Sequence, residues 1–493
     1  MEFTLAIAIF SILLYALRWN RNRSRLPLPP GPRKLPLIGN AFEIPTERQG
    51  ETFLKWSKQF KSDIIHLNAA GTSIVVLSSM EAVRELFEKR STLYSDRPRM
   101  PMVVELMGWD FAIPTMNYGD RLLERWNNFN LRNWQQRMSS FADSSEVPPI
   151  HPHCSNLAGT VIMNITYGID VHAADDKYIR IAEEAMERVS IASVPGAFLV
   201  DSIPALKYVP NWIPGAEFKR KAMEWKKIGQ ELLQLPFTET KQNIATGTAR
   251  TSFTSTNLRF LEDLTGIELE EHEAVVKATA ANMYLGGADT TVSAMGTFIL
   301  AMLLNPEVQK KAQAEIDSVV GPGQLPGFAD RPTLPYVSAI VKEVLRWRNV
   351  TPLAFPHRVA VDDEYQGYRI PANSIVIGNA WVILHDDAIY PDPHSFKPER
   401  FLLSGGKLNP AIRDPETVAF GICPGRHMAV ASLWIVVASI LSTFNIDKAI
   451  GEDGREIEPT HEVSPGMIST LLPFKCSITP RSPQAVEVIQ ATA

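Results

Sequence analysis

Apolar and β-branched residues crowd into Asp63–Asn68 and Ser73–Ser78, and the Ala-Ala-Gly-Thr between them supplies a turn, so this stretch predicts a β-hairpin. From Met80 to Arg90 the apolar spacing becomes helical. Residues 154–169 predict a buried helix ending near Gly168. Ser202–Pro214, with Pro204, Pro210 and Pro214, reads as loop, and so does the Thr- and Ser-rich stretch from Thr246 to Asn257. Phe218–Leu235 between them predicts a helix of alternating charge. The pattern from Glu271 to Leu304 predicts a single very long helix, and Pro306 suits the first position of the next. Helices follow up to Arg348, Tyr365–Pro371 and Ser374–Asn379 predict paired strands, and a long apolar helix over Met428–Phe444 precedes a β-rich tail. The fold class is mainly α with a small β subdomain.

The N-terminal pattern differs. Phe3–Leu17 is apolar and uncharged, and Trp19 follows it. This is shorter than the roughly 20 residues that span a bilayer. A cleaved signal peptide needs a basic start, and only Glu2 lies upstream, whereas Arg18, Arg21, Arg23 and Arg25 lie downstream. Positive charge after the segment places the following chain on the cytosolic side. Residues 1–19 are therefore expected to be a transmembrane anchor, residues 20–40 a basic, Pro-rich hinge, and residues 41–493 one domain. The prolines of Leu26–Pro32 fix φ and remove donors, which makes the hinge a stiff spacer.

Composition narrows the class. Of 493 residues, 45% are hydrophobic and 21% charged, as in a packed globular protein. A net charge of −5 gives no electrostatic case for nucleic acid. Cys154, Cys423 and Cys476 are odd in number and widely spaced, which argues against a disulfide framework and for a reducing compartment.

Three places carry candidate chemistry. Gly286-Gly287-Ala288-Asp289-Thr290-Thr291 sits inside the long helix. Each interior glycine costs about 1 kcal/mol relative to Ala, tolerable where something flat must approach the backbone. The acid and hydroxyl that follow could relay protons; the plain alternative is a kink with a capping Thr. Glu343 and Arg346 lie at i, i+3 on one helical face, and Pro398-Glu399-Arg400-Phe401 follows fifty-odd residues on. Cys423 stands in Phe420-Gly421-Ile422-Cys423-Pro424-Gly425-Arg426, before the last apolar helix; taken alone, it reads as a small buried hydrophobe.

Together, in this order, these motifs resemble the cytochrome P-450 family of haem-thiolate monooxygenases over nearly the whole chain. Val200–Arg220 is similar to fungal, membrane-anchored members related to O-methylsterigmatocystin oxidoreductase, and this segment, Gly287–Met295 and Glu105–Trp109 are similar to tryptamine 4-monooxygenase. The resemblance implies a P-450 fold behind the anchor, with Cys423 as the axial ligand of haem b. It implies oxygen activation by Asp289 and Thr290, a structural triad of Glu343, Arg346 and Arg400, and a haem-propionate contact at His357. It further implies electrons from NADPH through a separate reductase, a hydrophobic aromatic or terpenoid substrate, contact with membrane lipid, and an endoplasmic-reticulum location with the catalytic domain in the cytosol.

Two stretches depart from the family pattern. Phe420 is three residues before Cys423, where the family's Phe-x-x-Gly-x-Arg-x-Cys-x-Gly puts it seven before, and the Arg that pairs with a propionate is absent. In residues 121–153 the family's Trp-Arg-x-x-Arg has no clear counterpart, although Arg125, Trp126, Arg132 and Trp134 are of the right types. The shortened loop is expected to close poorly around the sulfur. A haem-poor, inactive protein or a mis-spliced gene product is thus the alternative reading, and a reductase-independent haem-thiolate isomerase a further one.

Overall fold

A computed structural model describes residues 26–123, 154–171, 176–193 and 197–492, except Leu37, Thr46, Ile422 and Pro465. The anchor expected at residues 1–19, the first residues of the hinge, and Arg125, Trp126, Arg132 and Trp134 lie outside the described residues. The chain divides into two units, one of residues up to Ile44, Phe53–Pro98 and Pro356–Ile377, the other of Pro45–Thr52, Arg99–Phe355 and Gly378–Ala493.

The first unit is built on a small sheet. Strands β1 (Ile64–Ala69) and β2 (Thr72–Leu77) form the expected hairpin, with Ile64 opposite Leu77. Ala70 and Gly71 both take positive φ (47° and 96°), which gives the turn the twist that favours tight hairpins. The predicted strand pairing downstream is corrected. Tyr368–Ile370 (β5) pairs instead with Asp363–Tyr365 (β4), through a turn at Gln366 and Gly367, while Ile375–Gly378 (β6) pairs with His357–Arg358 (β3) and extends the sheet in the order β1-β2-β6-β3. The nearer partner closes with a two-residue turn, and Pro371, which has no N–H, ends β5 and releases the chain to the other sheet. The described part of the hinge is bonded to this unit: Pro27 O accepts from Arg369 N–H at 2.8 Å and Pro30 O from His66 N–H at 2.9 Å.

The second unit is helical. Its main elements are α1 (Cys154–Tyr167), α2 (Lys177–Ala192), α3 (Glu217–Ala245), α4 (Phe253–Arg259), α5 (Gly266–Leu304), α6 (Pro306–Val319), α7 (Pro335–Trp347) and α8 (Arg426–Thr443); β7 (Phe444–Lys448) pairs with β8 (Cys476–Pro480) near the end. Helix α3 runs past the predicted end at Leu235 and through Pro236. Its buried Leu232, Leu233 and Phe237 outweigh the donor lost at proline. The Ser- and Thr-rich segment read as loop contains the start of α4. Ser252 and Ser255 form a reciprocal capping box, each hydroxyl accepting from the other's backbone N–H at 3.1 and 2.9 Å.

Helix α5, 39 residues long, joins two apolar cores. Its N-terminal half buries Val276, Ala280 and Tyr284 with Ile162 of α1 and Leu232 of α3. Its C-terminal half buries Phe298 and Met302 with Ile340 and Val344 of α7 and Leu433 and Val437 of α8. Burial explains why α5 and α8 are apolar enough to cross a membrane by composition alone: both pack inside the protein. Where α5 meets α1, a Cβ on Gly287 would stand 2.6 Å from Ile162 Cγ1, so glycine is what permits this close approach.

Candidate active site

The acidic and basic residues of α7 converge first. Glu343 and Arg346 share one helical face three residues apart and are both fully buried. Arg346 donates to Glu343 from Nε at 2.7 Å and from Nη2 at 2.9 Å. Arg400 joins from Pro398–Phe401, its Nε donating to Glu343 Oε1 at 3.1 Å, and Lys397 N–H donates to the same oxygen at 2.8 Å. The remaining guanidinium hydrogens are taken by carbonyls, including Leu384 O for Arg346 and Pro391 O for Arg400. One carboxylate serves two guanidiniums, and the carbonyls that take the remaining hydrogens supply the partners a buried ion cluster requires.

Cys423 precedes α8. Its N–H donates to Phe420 O at 2.8 Å, and Gly421 takes φ 50°, so the short loop turns tightly before the cysteine. One side of Cys423 is exposed, while the protein around its other side pushes the thiol upward. The Gly425 N–H, the charge of Arg426 and the Arg426 N–H oppose that push. Backbone donors at a helix start are what a thiolate needs. The sulfur has the Gly425 and Arg426 N–H groups as donors in spite of the shortened loop. What the deficit removes is the family's Arg, since Gly421 now stands two residues before Cys423.

In α5 the motif opens a gap on one side and is tight on the other. A Cβ on Gly286 would meet nothing within 4 Å, in contrast to neighbouring Gly287. Thr290 Oγ1 donates to Gly286 O at 2.5 Å, which commits the hydroxyl proton and leaves the oxygen's lone pairs to accept. Burial, with help from the Glu183 charge on α2, raises the Asp289 carboxyl to about 6. It therefore exchanges a proton near neutral pH.

In the first unit His357 stacks on Phe87, with ring centroids 4.2 Å apart, and bonds Tyr94 O through Nδ1 at 2.6 Å. Burial and the charge of Arg97 lower its pKa to about 3, so the imidazole is neutral at physiological pH. With Nδ1–H given to Tyr94 O, Nε2 can donate to a carboxylate only after taking up a proton. Arg97, by contrast, stays cationic, though burial lowers it to about 10, and it donates to Pro356 O at 3.0 Å. Sequence reasoning missed Arg97. Its signal was the Ser95-Asp96-Arg97-Pro98 run, which carries no chemistry of its own until folding buries the guanidinium.

A cysteine sulfur with backbone donors at a helix start is of the kind that forms one bond to an iron otherwise held by a porphyrin. That is the class of thiolate-ligated haem proteins, and the open Gly286 flank is the kind of space a flat macrocycle needs. A sequence model of the family Cytochrome P450 matches residues 29–122 and 108–472. Cytochrome P450 monooxygenase 98 of Postia placenta is 44% identical, the match covering 98% of this chain and 96% of the relative. A cytochrome P450 monooxygenase of Armillaria gallica is also 44% identical, over 99% and 98%. Tryptamine 4-monooxygenase of Psilocybe cyanescens is 39% identical, over 98% of each. This chain belongs to the cytochrome P450 family and is a haem-dependent monooxygenase of the fungal type.

Proposed function

We propose that the protein inserts one oxygen atom of O2 into a hydrophobic, aromatic or terpenoid small molecule in fungal secondary metabolism or xenobiotic oxidation. The observation that carries this reading is the α5 segment, where an open glycine flank adjoins a carboxyl titrating near 6 and a hydroxyl with free lone pairs. The name of the Psilocybe relative, which acts on an aromatic amine, supports an aromatic substrate. Haem b bound at Cys423 would supply the dioxygen chemistry, and NADPH through a separate reductase the electrons.

The chain's own groups have separate tasks. Burial keeps Cys423 a thiol in the free protein, and the Gly425 and Arg426 N–H groups, which oppose that push without outweighing it, would stabilise the sulfur as thiolate once iron takes the proton's place. Thr290 Oγ1, its proton committed to Gly286 O, accepts a hydrogen bond from a water and so orders it. Asp289 then passes a proton toward that water and is recharged from solvent, a task its raised pKa suits. Glu343, Arg346 and Arg400 hold the helix and loop ends behind the cofactor. In the first unit Arg97 offers a buried, fixed positive charge of the kind a propionate pairs with, and His357 lies beside it. Residues 1–19 anchor the protein in the endoplasmic-reticulum membrane with its body in the cytosol.

Thr290→Ala tests the central assignment. Without the hydroxyl the water is no longer held, so peroxide released per NADPH oxidised should rise and coupled product should fall by roughly ten-fold or more, with haem content unchanged. Unaltered coupling in an active variant would assign proton delivery to another group.

A further inference from the structure

The face of α5 that carries Gly286, Asp289 and Thr290 is bounded at each end by a polar side chain that grips a remote loop. At about 100° per residue, Asn282 and Ser293 fall at nearly the same angle of the helix, three turns and roughly 16 Å apart, with the glycine and the acid between them. Asn282 acts as a fork: Oδ1 accepts from Ile113 N–H at 2.8 Å, while Nδ2 donates to Phe111 O at 2.9 Å and to Ala278 O at 2.7 Å. Donor and acceptor are set by the backbone groups they meet, so the amide orientation is determined. The gripped loop is already a folded piece. Trp109 stacks on Phe111 with centroids 5.2 Å apart, and Thr115 Oγ1 donates to Trp109 O and Ala112 O at 3.1 and 2.8 Å.

At the other end Ser293, 1% exposed, donates to Ser469 O at 2.7 Å. Ser469 N–H in turn donates to Val350 O at 2.8 Å, and Val463 and Leu471 form a bridge that closes this turn of chain. Between the two grips, the Gly286 flank has no protein atom within 4 Å of a Cβ position. The face is thus clamped at both ends and free in the middle.

We propose that Asn282 and Ser293 are positioning residues that hold the Phe111–Ile113 and Ser469 segments as opposite walls of the substrate space, and so determine the size of molecule accepted. The proposal rests on the reading that the Gly286–Thr290 face borders the haem. Neither residue touches the reacting atoms; each acts through the backbone of another segment. Asn282→Ala frees the first wall, Ser293→Ala the second, and Asn282→Asp keeps the acceptor for Ile113 N–H but turns the donor for Phe111 O into a repelling acceptor.

The test uses the full-length haem-loaded chain and two haem-iron ligands, imidazole and 4-phenylimidazole, titrated by difference spectra. Imidazole is too small to reach the walls. Asn282→Ala and Ser293→Ala should therefore leave its affinity within twofold of the parent while shifting the ratio of the two affinities by at least fivefold, with Asn282→Asp intermediate between Asn282→Ala and the parent. Independently of any ligand, the Ile113 amide should exchange hydrogen at least ten-fold faster in Asn282→Ala, a change confined to the loop. A parallel Gly286→Phe variant separates the proposal from the reading beneath it. If Gly286→Phe blocks 4-phenylimidazole while the Asn282 and Ser293 variants keep the parent's ratio and exchange rates, the walls are not held by these residues and the proposal falls alone. If Gly286→Phe also leaves both azoles unaffected, this face does not border the haem, and both fall.

Discussion

The Glu343–Arg346–Arg400 cluster and the Gly286–Thr290 segment lie in the same helical unit, yet they solve opposite problems. In the first, each carboxylate oxygen is met by guanidinium or backbone N–H donors, and the guanidinium forks are filled by carbonyls. In the second, a glycine flank is left open, a carboxyl is held near its titration point, and a hydroxyl keeps unused lone pairs. Completed interactions make a scaffold, because nothing remains for a ligand to satisfy. Incomplete ones are held at a cost by the surrounding packing, and that is where chemistry can occur.

The strongest way to test the contrast is to unmake the scaffold. Glu343→Ala should leave two buried guanidinium groups without their carboxylate, a loss of about 3–5 kcal/mol. Thermal unfolding and haem content should fall together; a variant with the parent's melting temperature would show that the cluster is not structural.

Asp289→Asn should act on turnover and pH dependence instead. The folded carboxyl titrates near 6, above the ordinary aspartate value, so the folded state favours its protonated form. The associated stability is complete well below the unfolded pKa and is lost as pH rises through about 6. Proton supply declines over the same window. Coupled turnover should therefore fall as pH rises through that region in the parent, whereas Asp289→Asn should be slower by about 10²-fold and flat across it. A parent profile without that inflection would remove Asp289 from the relay.

Adjacent glycines sharpen the comparison at a smaller scale. Gly287→Ala forces a methyl to 2.6 Å from Ile162 Cγ1 and should cost about 1–3 kcal/mol of stability. Gly286→Ala meets no protein atom and should gain up to about 1 kcal/mol of helix stability, while intruding on bound haem or substrate. Equal melting temperatures for the two variants would contradict the assigned asymmetry of the helix. The mildest change is deletion of residues 1–25, which should release a large fraction of the protein from membranes without altering haem binding; carbonate-resistant association of the truncated chain would refute an N-terminal anchor.

Much of this was legible in the chain before folding. The β1–β2 hairpin, the long α5 and the start of α6 at Pro306 follow from turn residues and apolar spacing, which are local signals. The triad was legible because Glu343 and Arg346 are helical neighbours, although their complete burial was not. Strand pairing at β4–β5 and β6–β3 was misread because adjacency in sequence competes with a tighter turn upstream. The Ser-rich start of α4 was hidden because the same residues favour loops and caps. Asn282, Ser293 and Arg97 were missed for one shared reason: their partners are backbone groups of distant segments, which leave no trace in spacing.

The proposed role of Cys423 as haem ligand has to hold despite the shortened loop. The carbon monoxide difference spectrum of the reduced, unmodified chain, read with its haem content, tests this most directly. Full haem occupancy with a thiolate-type band is the predicted result. Low occupancy, or a band lacking thiolate character, would show that the missing residues displace the sulfur, and the donors of Gly425 and Arg426 would then have no ligand to serve.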